Sequence, residues 1–192
     1  MKKYLFLVLT TILFLSGCSF SFTPDQGMEK IPDEPNLVQK KARVVRVIDG
    51  DTLILAMGNQ QKRVRLLLID TPESVKPGVS VQPMAKEASD YLKESLTAQD
   101  VTYAYDLGNK QDKYGRELCY VFIEGTLVQK DLIERGYAIV RYAEAPNTTY
   151  LEELKNAEKI AKEQHFGVWG IDDYVQSKNG DESFNMKEET KK

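Results

Sequence analysis

Between Asp49 and Glu73 the chain gathers three aspartates, a glutamate and Arg65 around apolar runs. The order is Asp49-Gly50-Asp51-Thr52, then Arg65-Leu66-Leu67-Leu68-Ile69-Asp70-Thr71-Pro72-Glu73. Carboxylates are hard oxygen donors of the kind Ca2+ accepts. A guanidinium offers a rigid fork of donors matched to two phosphate oxygens. A second arginine closes Asp112-Lys113-Tyr114-Gly115-Arg116. The combined chemistry is that of a hydrolytic site holding a divalent cation beside a phosphate, a metal-dependent phosphodiesterase.

Each residue alone has a plainer role. Asp49-Gly50 is a turn, Asp70 ends a strand, Arg65 salt-bridges on a barrel face, and Arg116 is a solvated hairpin arginine. Three carboxylates at the ends of neighbouring strands, however, repel one another and need a counter-charge, which a hard cation supplies. A single histidine, His165, gives zinc or copper little to bind. Arg65 and Arg116 suit charge developing on a phosphoryl centre. Glu73, fixed by the preceding Pro72, suits a general base or a group that orients water. Tyr114 and Tyr142 are candidates for stacking on bases or sugar, with Lys113 as a phosphate partner. Packing at the barrel rim is an equal reading for Tyr142, since most of the ten tyrosines must be structural.

The elements that position these residues follow from periodicity. Residues 42–48 and 52–56 are β-branched and aliphatic, and Asp-Gly between them signals a hairpin. Gly58-Asn59 turns the chain into a third strand, 62–69, with Val64, Leu66 and Leu68 on one face and Arg65 on the other. Pro83 is placed to open a helix running to about Thr97. Residues 101–105 and 117–123 read as two further strands. Thr126 with Gln129, and Thr149 with Glu152, are capping-box patterns that open two more helices. Gly136 stops the first of these, a brief strand follows at 138–140, and the second ends near Gly167. The expected fold is a β-barrel with α-helices, a five-stranded OB-type barrel with three helices. An open α+β sandwich satisfies the same pattern.

Residues 1–18 read as a lipoprotein signal peptide. Lys2 and Lys3 precede an apolar stretch, Tyr4 to Leu15, shorter than the ~20 residues that span a bilayer. Leu15-Ser16-Gly17-Cys18 resembles the bacterial lipobox, which implies lipidation of Cys18 and an anchor on the outer face of the cell membrane. A plain secretory signal is the alternative, and later release of an anchored form stays open. Residues 19–39 form a flexible tether, 40–170 one domain, and 171–192 a polar tail expected to lack order. With Cys18 lipidated, Cys119 has no disulfide partner and reads as a buried inert thiol. Residues 40–170 carry 19 basic and 19 acidic side chains, so no overall basic field draws in nucleic acid. Any phosphate binding must be local.

Taken in order, Val47-Ile48-Asp49-Gly50-Asp51-Thr52, the block Arg65 to Glu73, Glu87-Ala88-Ser89, Asp112 to Arg116 and Pro146-Asn147 resemble the staphylococcal-nuclease-like (thermonuclease) family across about residues 42–170. The resemblance implies an OB-fold barrel, expected to be monomeric. It implies a Ca2+-dependent endo/exonuclease on DNA and RNA that breaks the P–O5′ bond and leaves 3′-phosphate ends. By position it implies Arg65, Glu73 and Arg116 as catalytic residues. Asp51, Asp70 and the Thr71 carbonyl match the calcium ligands, with Asp49 close by through water. Lys113, Tyr114 and Tyr142 match nucleotide contacts. Two departures stand out: Glu144 replaces a tyrosine often found two residues beyond Tyr142, and the loop after Glu73 holds only Lys76 where relatives are richer in lysine. A non-catalytic nucleic-acid-binding module on the same barrel is the second reading. A lipoprotein that binds a small solute or a cell-wall component is the third.

Overall fold

Alternating side chains make the first strand: Ala42, Val44 and Val47 are buried, while Lys41, Arg43 and Arg46 are exposed. The computed structural model describes residues 37–74 and 80–185. The expected signal peptide with Cys18, most of the tether, and Lys76 lie outside the described residues. Along the chain the elements are β1 (Lys40–Asp49), β2 (Thr52–Met57), β3 (Gln60–Leu66), β4 (Ile69–Asp70), α1 (Ala85–Leu96), β5 (Asp100–Ala104) and β6 (Glu117–Ile123). They continue as β7 (Thr126–Leu127), α2 (Val128–Glu134), β8 (Ile139–Val140), α3 (Leu151–Glu163), β9 (Val175–Lys178) and β10 (Asp181–Phe184).

β1, β2 and β3 form an antiparallel meander, β1 also pairs with β5, and β5 pairs with β6. The parallel pairing of β3 with β6, Val64 opposite Glu117 and Leu66 opposite Cys119, closes a five-stranded barrel. Closure removes the sheet edges and leaves an interior that side chains fill. Leu53, Leu55, Val64, Leu66, Cys119 and Val121 fill it, and Leu92 and Leu96 of α1 join the same core. Cys119 is buried and unpaired, and burial pushes its thiol well above the usual cysteine range. The OB-type barrel with three helices is therefore the fold, and the open sandwich is not.

Three local expectations fail for tertiary reasons. The third strand does not run unbroken to Ile69. Leu68 sits at φ 64, and the chain bends into β4, which pairs with β8 instead. The bend buries Leu66, Leu67, Leu68 and Ile69 together. Pro83 does not open α1, which starts at Ala85 behind Met84 at φ 64. Neither capping box forms, because both polar side chains have better partners in the barrel. The Gln129 amide donates to Cys119 O at 3.0 Å and accepts from Val121 N–H at 3.3 Å, tying α2 to β6. Thr149 gives its N–H, at 3.0 Å, and its hydroxyl to the buried Asp106. Asp106 also accepts from Tyr120 O–H at 2.7 Å, so one carboxylate joins β6 to the start of α3.

The expected tail is also corrected. Residues 175–184 form the β9–β10 hairpin, with Phe184 stacked on Tyr174 at 5.2 Å. Tyr174 packs with Ile139 and Val168 and donates its hydroxyl to Pro83 O at 3.1 Å. The hairpin thereby covers the back of β8, whose far end leads into Arg141 and Tyr142.

Asp106→Ala strands the Tyr120 and Thr149 hydroxyls without an acceptor. It should lower unfolding free energy by roughly 3 kcal/mol in urea melts. A midpoint equal to wild type would show that Asp106 joins nothing that matters.

Candidate active site

At the mouth of the barrel the β1–β2 turn packs closely on the segment after β4. A Cβ added at Gly50 would lie 2.7 Å from Thr71 Oγ1, so only glycine lets this turn press against Thr71. The contact brings Asp49 and Asp51 on the turn beside Asp70, Thr71 and Glu73. Thr52 pairs with Arg65 across β2 and β3, which sets that guanidinium next to Asp51. From the far side, the loop between β5 and β6 brings Lys113, Tyr114 and Arg116, and the residues after β8 bring Tyr142. All of these line one cleft of about 910 Å³.

Arg65 is the centre of the cleft and only 8% exposed. One guanidinium nitrogen lies 3.0 Å from Asp51 Oδ2, and the other lies 3.1 Å from Asp70 Oδ1. The first also donates to Ile69 O at 2.9 Å and to Leu66 O at 3.2 Å. These carbonyls are available because the chain bends at Leu68. Asp51 is held further by the Thr52 hydroxyl at 2.8 Å and by Thr71 N–H at 3.4 Å.

Asp70 has a second cation that sequence reasoning missed. Arg141 donates to Asp70 Oδ2 at 3.1 Å. The one sequence signal for it was an arginine directly before Tyr142 at the end of a short strand. Burial pushes the Asp70 carboxyl up to about 6, and the neighbouring Asp51 charge pushes the same way. Arg65 and Arg141 oppose the shift without cancelling it. Tyr142, at φ 58 and 55% exposed, lies with its ring 5.6 Å from Arg65 and 5.0 Å from Arg141.

Arg116 is set by its own loop. Its Nε lies 2.6 Å from Asp112 Oδ2, while Asp112 Oδ1 accepts from the Tyr114 and Arg116 N–H groups at 2.9 and 3.0 Å. Tyr114 is exposed, with Lys113 5.2 Å and Arg116 5.6 Å from its ring centre. Asn147 braces this side of the cleft, accepting from Gly108 N–H at 2.8 Å and donating to Asn109 O at 3.1 Å. Glu73 is half-buried, and its backbone exchanges hydrogen bonds with Gln82 at 2.7 and 3.1 Å. Glu144 lines the same cleft from an exposed position.

The three aspartates do not form the cluster expected of them. Asp49 turns to Gly50 N–H at 2.9 Å and to the Ser74 hydroxyl at 2.6 Å. Among the described residues no group of three or more acidic, histidine or cysteine side chains is gathered for a metal. The carboxylates left facing each other are Asp51 and Asp70. The donor set there is all oxygen, and the buried Thr71 Oγ1 has no hydrogen-bond partner. A buried, incompletely compensated carboxylate beside a second one fits a hard cation, and the set contains no nitrogen or sulfur that would favour a softer one.

Residues 63–170 match the family model described as staphylococcal nuclease homologue. An uncharacterized protein of Bacillus anthracis is 48% identical over 139 residues, which cover 72% of this chain and 65% of that protein. The SPbeta prophage-derived endonuclease YokF of Bacillus subtilis (strain 168) is 40% identical over 130 residues, 68% of this chain and 44% of its own. The chain thus spans less than two thirds of each of these two relatives. The thermonuclease of Staphylococcus hyicus is 37% identical over 172 residues, 88% of this chain and 99% of its own. With a matching model over more than half its length, and a relative covered almost end to end, the chain belongs to the staphylococcal nuclease homologue family.

Proposed function

We propose that the protein is a Ca2+-dependent nuclease that hydrolyses DNA and RNA at the P–O5′ bond and leaves 3′-phosphate ends. We further propose that lipidated Cys18 holds it on the outer face of the cell membrane. One observation carries the activity: Arg65, Glu73 and Arg116 line a single cleft together with the facing carboxylates of Asp51 and Asp70. A module that only binds nucleic acid has no need of that full set, and a solute-binding lipoprotein leaves the two arginines unexplained.

Asp51, Asp70 and the Thr71 carbonyl would hold the cation, which when bound supplies Lewis-acid polarisation of a phosphate oxygen. Arg65 approaches the phosphate from the floor of the cleft and Arg116 from the opposite loop. Their forks donate to equatorial oxygens as negative charge builds there, a stabilisation greater in the transition state than in the bound substrate. Glu73, held on a backbone pinned to Gln82, accepts or orients the proton of the attacking water. Exposed Tyr114 and Tyr142 offer ring faces to a base or sugar, and Lys113 a charge to a neighbouring phosphate.

Glu73→Gln and Arg116→Ala should each cut kcat on single-stranded DNA by about 10²–10³ with little change in melting temperature. EDTA should reduce the wild type to background, and end-group analysis should find 3′-phosphates. Wild-type rates in either variant would refute the roles assigned here.

Cation affinity should also depend on pH. With the Asp70 carboxyl held up to about 6, a cation below that pH must displace a proton. Affinity should be weaker at pH 5 than at pH 7, and in Asp70→Asn this dependence should flatten. Calorimetric Ca2+ titration at the two pH values decides it, and equal affinities would contradict the placement of Asp70 among the ligands. Cys18→Ala should move the protein from the membrane fraction to the medium when cells are fractionated. Unchanged membrane retention would remove the anchor.

A further inference from the structure

The seven arginines of this chain divide into two groups. Arg43, Arg65, Arg116, Arg135 and Arg141 each form an ion pair with an aspartate. Arg46 and Arg63 form none among the described residues. Both are exposed, and the sheet register sets them in one row. Arg46 is the cross-strand partner of Ile54, and Ile54 is the partner of Arg63. Directly opposed residues project from the same face of a sheet, so the three side chains stand together. With two strand spacings between them, the arginine backbones are about 10 Å apart. The half-buried Ile54 gives the row an apolar floor.

The row is continuous with the cleft. Arg63 lines it, and so does Ile48, two residues beyond Arg46 on β1. Along β3, Arg63 and Arg65 share a face about 7 Å apart by strand geometry. A path therefore runs from the buried Arg65, over Arg63 at the rim, to Arg46 on the outer wall. Residues 40–170 balance only with these arginines counted, 19 basic against 19 acidic side chains, so this is a local positive band and not part of a general field.

We infer that Arg46 and Arg63 form an extended subsite for the phosphate backbone of a single strand, next to the phosphate being cut. The inference rests on the nuclease reading for its direction along the cleft. Single-strand binders combine a positive groove with sequence-tolerant contacts, and unpaired arginines pay no cost of breaking an ion pair when phosphates arrive. An anionic lipid surface is the competing occupant. A lipid headgroup layer would use the band as a flat patch, whereas a strand uses it in line with the cleft.

The test uses the full chain and its Arg46→Gln/Arg63→Gln double variant. Binding of an oligothymidine strand of roughly 12 nucleotides is read by fluorescence anisotropy across a salt series. Two lost phosphate contacts should weaken binding about tenfold at low salt and make the log–log salt slope shallower by about 1.4. In cleavage assays the wild-type preference in KM for that strand over a dinucleotide should shrink by a similar factor, with kcat on the long strand retained. An unaltered salt slope together with an unaltered length preference would overturn the inference. So would loss of binding to phosphatidylglycerol vesicles with strand binding intact, which would assign the band to lipid. If the wild type binds strands but cuts none, the nuclease reading fails, and the anisotropy comparison still decides the subsite.

Discussion

A buried guanidinium is costly unless every donor finds a partner, and that constraint organises this protein. Arg65 meets it in large part, its two terminal nitrogens reaching two carboxylates and two backbone carbonyls. Each partner comes from a different piece of local geometry. Asp51 requires the β1–β2 turn to sit against Thr71. The Leu66 and Ile69 carbonyls require the bend at Leu68. Asp70 requires β4 to pair with β8. The barrel, the bend and the turn therefore converge on one side chain, and the residues that surround it are placed as a consequence.

The same convergence explains why glycine occupies position 50 and why a leucine accepts φ 64 at position 68. A left-handed leucine is unfavourable on its own. Here it lets four consecutive apolar side chains reach the interior while their strand changes sheets. Burial of those side chains offsets the local cost, which is of the order of 1–2 kcal/mol. The far wall is built by independent means. Asp112 folds the Lys113–Arg116 loop on itself, and Asn147 fastens that loop's base from a different segment. The cleft thus has one wall set by the barrel and one set by loop hydrogen bonds.

Much of this was legible in the residues. The meander, the strands of residues 101–105 and 117–123, the existence of three helices and the aspartates, glutamate and paired arginines of the cleft follow from periodicity, the Asp-Gly turn and charge. What stayed hidden is what depends on contacts distant in the chain. Gln129 and Thr149 look like capping residues locally, but Cys119, Val121 and Asp106 compete for them successfully. Asp49 resembles Asp51 in sequence, and distant contacts tell them apart, Ser74 for the first and Arg65 and Thr71 for the second. The β9–β10 hairpin shows little apolar alternation, because its order rests on Tyr174 and Phe184 docking on Ile139 and Val168. Arg141 carries no local sign of its role, since only the pairing of β8 with β4 brings its side chain to Asp70.

Charge balance ties these findings to the proposed chemistry. Asp51 and Asp70 face Arg65 and Arg141, so this inner group is neutral before anything binds. A divalent cation placed there alone leaves two positive charges in a partly buried cleft. A phosphodiester supplies one negative charge and Glu73 another. On the proposed reading, cation and strand therefore favour each other's binding, each offsetting a charge the other introduces.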